Sequence, residues 1–129
     1  MKSILRKYLA LTLLLLSHAA VADLSGNWRG ILTAAQYDPI ELIFRLHRLP
    51  PEENADYQAS LDIPTQFRAG LPVLIVSLSG NNLTLRLPDI QAEFYGALVF
   101  TDDGQTVLAI DGDWSQSGEY VPLRLERMH

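Results

Sequence analysis

Apolar side chains recur at every second position along this chain in short runs, and no stretch after residue 22 sustains the 3.6-residue repeat of an amphipathic helix. That period restricts the chain to strands with one buried face. The clearest run is Ile40 to Leu49, where Leu42, Phe44 and Leu46 oppose Ile43, Arg45 and His47. In Tyr57 to Ile63, Tyr57, Ala59, Leu61 and Ile63 alternate with Gln58, Ser60 and Asp62. Leu24 to Ala34, Val73 to Leu78, Leu83 to Leu87, Ala92 to Phe100 and Thr106 to Trp114 are further strands. A last strand directs Val121, Leu123 and Leu125 inward. Turns are marked by Asp38-Pro39, Pro50–Asn54, Ser79–Asn82, Asp102-Asp103-Gly104 and Ser115–Gly118. Pro64 to Pro72, with two prolines and Gly70, is expected to be a loop across one end of the sheet.

About eight strands with connections too short for parallel crossovers predict an all-β antiparallel meander. A closed or nearly closed small barrel, lipocalin-like in outline, protects the edges of such a sheet. The three-residue pattern Gly-x-Trp occurs twice, as Gly26-Asn27-Trp28 and Gly112-Asp113-Trp114. Each sets a residue without a side chain on the same strand face as a very large one, which lets another backbone approach closely. One such pair near each end predicts that the first and last strands meet. Gly30 and Gly96, inside strands, are expected where the sheet curls.

Residues 1–22 read as a cleaved signal peptide. Lys2, Arg6 and Lys7 precede the apolar run Leu9–Leu16, and Ala20-Val21-Ala22 is an A-x-A cleavage site. That run is shorter than the roughly 20 residues a membrane span needs. No Cys follows the site, so a lipid-anchored lipoprotein is excluded, and the expected location is the periplasm or beyond, with no stable membrane insertion after cleavage. Residues 23–129 then form one domain. They hold seven basic residues, all Arg, against fifteen acidic ones, a net charge of −8. Such a surface repels phosphate backbones, so nucleic acid is not an expected partner. Without cysteine there is no disulfide, thiolate nucleophile or Cys-ligated metal.

The residue inventory predicts no enzyme. No serine lies in a Gly-x-Ser-x-Gly elbow, and His47 sits on the polar face of its strand away from any marked nucleophile. Asp111-x-Asp113-x-Ser115 opens like a calcium loop, but Gln116 occupies the required glycine position and Pro122 the bidentate glutamate position. No cofactor and no metal are expected. Trp28, Phe44, Tyr57, Phe94, Tyr95, Phe100 and Trp114 either line a ligand cavity or fill the interior.

Several segments carry a resemblance. Leu24-Ser25-Gly26-Asn27-Trp28-Arg29-Gly30-Ile31-Leu32 is similar to the opening of a β-rich domain at the N-terminus of exported α/β-hydrolases of the serine-aminopeptidase or dienelactone-hydrolase type. In the same order follow Ser60-Leu61-Asp62-Ile63-Pro64-Thr65-Gln66, Gly70-Leu71-Pro72-Val73 and Glu93-Phe94-Tyr95-Gly96. Gly112–Gly118 and Pro122-Leu123-Arg124-Leu125 complete the series. Phe67 stands where those relatives continue with Gly. In them the catalytic triad belongs to the following domain, so the resemblance implies a free-standing accessory module and transfers no catalytic residue. The expected function is an exported, non-catalytic binding module that contacts a partner protein, such as an exported α/β-hydrolase, or a hydrolase's substrate. The alternative is a carrier of a small apolar ligand in the barrel interior. Candidate contact residues are Trp28, Gln66, Phe67, Tyr95, Trp114 and Gln116.

Overall fold

In the computed structural model, which describes residues 22–34 and 36–129, the alternating runs become strands. The expected signal peptide, apart from Ala22, lies outside the described residues. The strands are β1 (Gly26–Leu32), β2 (Ile40–Arg48), β3 (Tyr57–Ile63), β4 (Arg68–Val73), β5 (Ile75–Ser79), β6 (Asn82–Leu87), β7 (Ala92–Phe100), β8 (Val107–Gln116) and β9 (Glu119–Arg127). They form one sheet in the order β4-β3-β2-β1-β9-β8-β7-β6-β5, and all pairings are antiparallel. The first and last strands meet, as expected, and the barrel is nearly closed. The second Gly-x-Trp lies on β8, one strand before the last.

The expected loop Pro64 to Pro72 is instead a 3-10 turn, Pro64–Gln66, followed by the strand β4. Its proline and glycine are tolerated because β4 pairs only with β3 and leaves its other edge open. A bulge between Leu61 and Ile63 absorbs the irregularity. The expected strand Val73 to Leu78 divides at Leu74, whose N–H donates to the Arg86 carbonyl at 3.0 Å. Residues 68–79 thus behave as one bent strand, paired first with β3 and then with β6. That bend accounts for nine strands in place of about eight and lies where the barrel stays open.

The inward face is a single apolar core. Leu42, Phe44 and Leu46 of β2, Leu83, Leu85 and Leu87 of β6, and Leu123 and Leu125 of β9 are buried as their alternation predicts. The Phe44 ring centre lies 6.3 Å from that of Phe94 and 6.4 Å from that of Trp114, so aromatic rings occupy the middle of the barrel. No helix among the described residues is long and apolar enough to cross a membrane.

Alternating strand direction sends the connections around residues 33–39, 64–67, 88–91 and 117–118 to one end. The other end is closed by the segment before β1. Leu24 is fully buried there; its N–H donates to the Tyr57 hydroxyl at 3.0 Å, and its carbonyl accepts from Trp28 Nε1 at 2.9 Å. Arg127 lies 4.2 Å from the centre of the Trp28 ring and donates to the carbonyls of Ser25 and Asp23 at 2.7 and 3.0 Å.

Curvature depends on inward glycines. Gly96 and Gly112 face each other across β7 and β8, and a Cβ on Gly112 would lie 2.1 Å from the Tyr95 carbonyl oxygen. Because the obstacle is backbone, no rotamer change relieves it. Gly112→Ala should therefore destabilise the domain by about 3 kcal/mol or more, the upper range of overpacking. Gly80→Ala, where the turn has open space and only a positive φ of 60° to resist, should cost about 1 kcal/mol. Denaturant melts of both variants test this; equal losses would show that close approach does not limit Gly112.

Candidate functional site

The ladder between β1 and β9 contains only Trp28↔Arg127 and Arg29↔Glu126, whereas β1 pairs with β2 at seven positions and β8 with β9 at eight. Pro122 sits in the part of β9 beyond this short ladder and has no N–H to extend it. Gly30 still packs closely against Leu123, Leu125 and the Arg124 carbonyl. Above it the two strands part, and a cleft of about 400 Å³ occupies the gap at the end opposite the Leu24 plug.

Leu32, Ile40 and Val121 supply apolar surface to the cleft, and Trp114 and Tyr37 supply aromatic surface. Asp38 and Glu119 are the charged residues that line it. A narrower recess of about 60 Å³ adjoins it, sharing Leu32, Ile40, Trp114 and Gln116, and reaches Gln66, Arg68 and Ile90. Gln116 spans the two. Its Oε1 accepts from Trp114 Nε1 at 3.2 Å, and its Nε2 donates to the Ile90 carbonyl at 3.0 Å. This chain fixes the Trp114 ring as a wall and anchors the second 3-10 turn, Pro88–Ile90.

Phe67 ends the first 3-10 turn in the left-handed conformation, φ 53° and ψ 35°, with its N–H donating to the Pro64 carbonyl at 3.0 Å. A large side chain strains this region, which favours glycine. The Phe67 ring gains no internal packing in exchange, since it is 98% exposed. It stands at the mouth of the barrel, between the two residues Gln66 and Arg68 that border the recess. The turn is braced from below. Asp62, with a side chain only 14% exposed, accepts from the Gly70 N–H at 2.8 Å and from Arg45 Nε at 2.7 Å. The Gly70 N–H first, and the Arg45 guanidinium beside it, hold the Asp62 carboxyl below its ordinary 3.8.

The structure therefore gathers Gln66, Phe67, Trp114 and Gln116 at one end. It does not bring Trp28 or Tyr95 there. Trp28 belongs to the plug at the opposite end, so Trp28 and Trp114 do not share one end of the sheet. Tyr95 lies half-exposed on the outer wall, between Thr84 and Asp113. Leu32, Tyr37, Asp38, Ile40, Glu119 and Val121 were not expected as site residues. Counting strand direction from β1 would have placed the 33–39 connection and the Ser117-Gly118 turn at the same end, but not the gap between β1 and β9. Among the described residues no three His, Asp or Glu side chains converge to hold a metal ion.

Fold and site together define a small antiparallel barrel with one plugged end and one open, apolar end. No protein-family model, no curated protein and no solved structure matches this chain.

Two outcomes test the Phe67 turn. Phe67→Gly should stabilise the fold by roughly 1 kcal/mol by releasing left-handed strain, the opposite sign to most aromatic truncations. A loss of stability in thermal melts would show that the ring packs against something. Asp62→Asn should lower stability at neutral pH. Because the Asp62 pKa is depressed on folding, its contribution is fully present above the ordinary value and is lost as pH falls through the lowered one. The gap between wild type and variant should be constant above about pH 5 and narrow below the ordinary carboxylate value in pH-dependent melts.

Proposed function

We propose that this protein is an exported, non-catalytic binding module that contacts a partner protein or a hydrolase's substrate through its open end. The observation that carries this reading is Phe67: a bulky ring held in a conformation that favours glycine and presented almost wholly to solvent. Strained residues of this kind persist where the surrounding structure over-determines them, and they concentrate at ligand clamps and binding surfaces. The apolar cleft beside it adds surface that a partner would bury. The resemblance to accessory domains of exported α/β-hydrolases supplies the class of partner, a hydrolase carrying its own triad.

The interior favours contact at the rim over a ligand seated at the barrel centre. Phe44, Phe94 and the neighbouring leucines are fully buried there and in mutual contact, so a central ligand would have to displace them.

A photo-crosslinking side chain at position 67, with position 95 on the outer wall as control, tests the reading in the exporting cell. The expected result is a discrete adduct with an exported α/β-hydrolase from position 67 and none from position 95. Adducts of equal yield from both positions, or none from 67, would count against the open end as the contact surface.

A further inference from the structure

We infer that the cleft between β1 and β9 binds an organic cation with an apolar body, such as an alkylammonium. This rests on the reading of the open end as the binding surface and names the chemistry it takes.

Charge complementarity selects the ligand class. Both charged residues that line the cleft are carboxylates, Asp38 and Glu119, and both are exposed at its lip. Among the described residues neither has an ion-pair partner. Six of the seven arginines beyond residue 22 are engaged elsewhere. Arg29 pairs with Glu41, Arg45 with Asp62, Arg48 with Asp23, Arg86 with Glu93, and Arg124 with Asp111 and Glu126. Arg127 is spent on the carbonyls of the plug. Arg68, the seventh, is exposed and has no ion-pair partner among the described residues, but it borders the adjoining recess and does not line the cleft. An anion would thus enter against two carboxylates with no cation in the cleft lining to meet it, whereas an ammonium group completes the lip.

The remaining surface suits the rest of such a ligand. Tyr37, which is exposed, offers aromatic surface that attracts a cation with apolar substituents, and the buried Trp114 contributes only an edge to the floor. Leu32, Ile40 and Val121 receive an alkyl or aryl body. About 400 Å³ is at the small end of ligand sites and fits a single short chain or ring. Trp114 is held by Gln116, so its part of the wall is preformed.

Three probes of equal chain length, octyltrimethylammonium, octanol and octanoate, test the inference by amide chemical-shift titration of the folded domain below micelle formation. The ammonium should shift the amides of Leu32, Ile40 and Val121 and saturate, with octanol weaker and octanoate absent. The double variant Asp38→Asn/Glu119→Gln, at two exposed positions, should keep its melting temperature and weaken ammonium binding roughly three- to ten-fold. Octanol or octanoate binding as tightly as the ammonium, or an unchanged affinity in the double variant, overturns the cation assignment and leaves the open end as a binding surface. Shifts confined to residues away from the cleft, or no binding of any probe, overturn the site itself. Crosslinking from position 67 then decides separately whether the end contacts a partner.

Discussion

Closure of the sheet rests on the contact between Trp28 and Arg127. The β1–β9 ladder has two paired positions, extended by the Met128 N–H donating to the Asn27 carbonyl at 2.8 Å, so few backbone hydrogen bonds hold the two ends of the meander together. Side chains take over that task. Arg127 stacks on the Trp28 ring and holds two carbonyls of the segment before β1, while Trp28 Nε1 and the Tyr57 hydroxyl secure the buried Leu24. A planar guanidinium is suited to this because it stacks and donates in several directions at once, which a lysine ammonium does not. The plug therefore closes the ring and covers the bottom of the core in one arrangement.

Because closure is concentrated at that end, the other end is free to open. The ladder already stops at Arg29↔Glu126, beyond it the strands diverge into the cleft, and Pro122 has no N–H with which pairing could resume further along. Polar ties there are few and local: the Trp114–Gln116–Ile90 chain and the Asp62 brace under the first 3-10 turn. They fix individual side chains and turns without sealing the mouth. The left-handed Phe67 is found at this end, which is the arrangement expected if one end supplies stability and the other spends some of it.

Much of the barrel was legible in the chain because a period of two maps directly onto burial. Leu42, Phe44 and Leu46, or Leu83, Leu85 and Leu87, need no tertiary information to be assigned inward. β4 was not legible because Gly70 and Pro72 are breakers in a paired strand and are tolerated on an edge, and only the fold reveals which strand is the edge. The site was half legible. Phe67 stood out through its departure from a glycine, and Trp114 and Gln116 through their motif. Asp38, Glu119 and Val121 carry no local signature, since what assembles them is the parting of two strands far apart in sequence. Trp28 and Trp114 share a motif yet serve opposite ends, because a Gly-x-Trp pattern specifies one face of a strand and says nothing of position along the barrel.

The charge distribution follows from the same geometry. On the outer wall arginines pair with carboxylates of the neighbouring strand, Arg45 diagonally with Asp62 and Arg124 directly opposite Asp111, so cross-strand pairing absorbs most of the basic residues. Turns have no opposite strand to supply a partner. Carboxylates placed in them, Asp38 among them, stay unneutralised, and with fifteen acids against seven arginines beyond residue 22 the surplus has to collect somewhere. The open end combines such a carboxylate with a second one, Glu119, at the free start of β9 and with apolar surface that the β1–β9 divergence leaves uncovered. Negative charge next to uncovered apolar surface in the cleft is thus a consequence of how this barrel closes, and it is the feature on which the proposed preference for a cation rests.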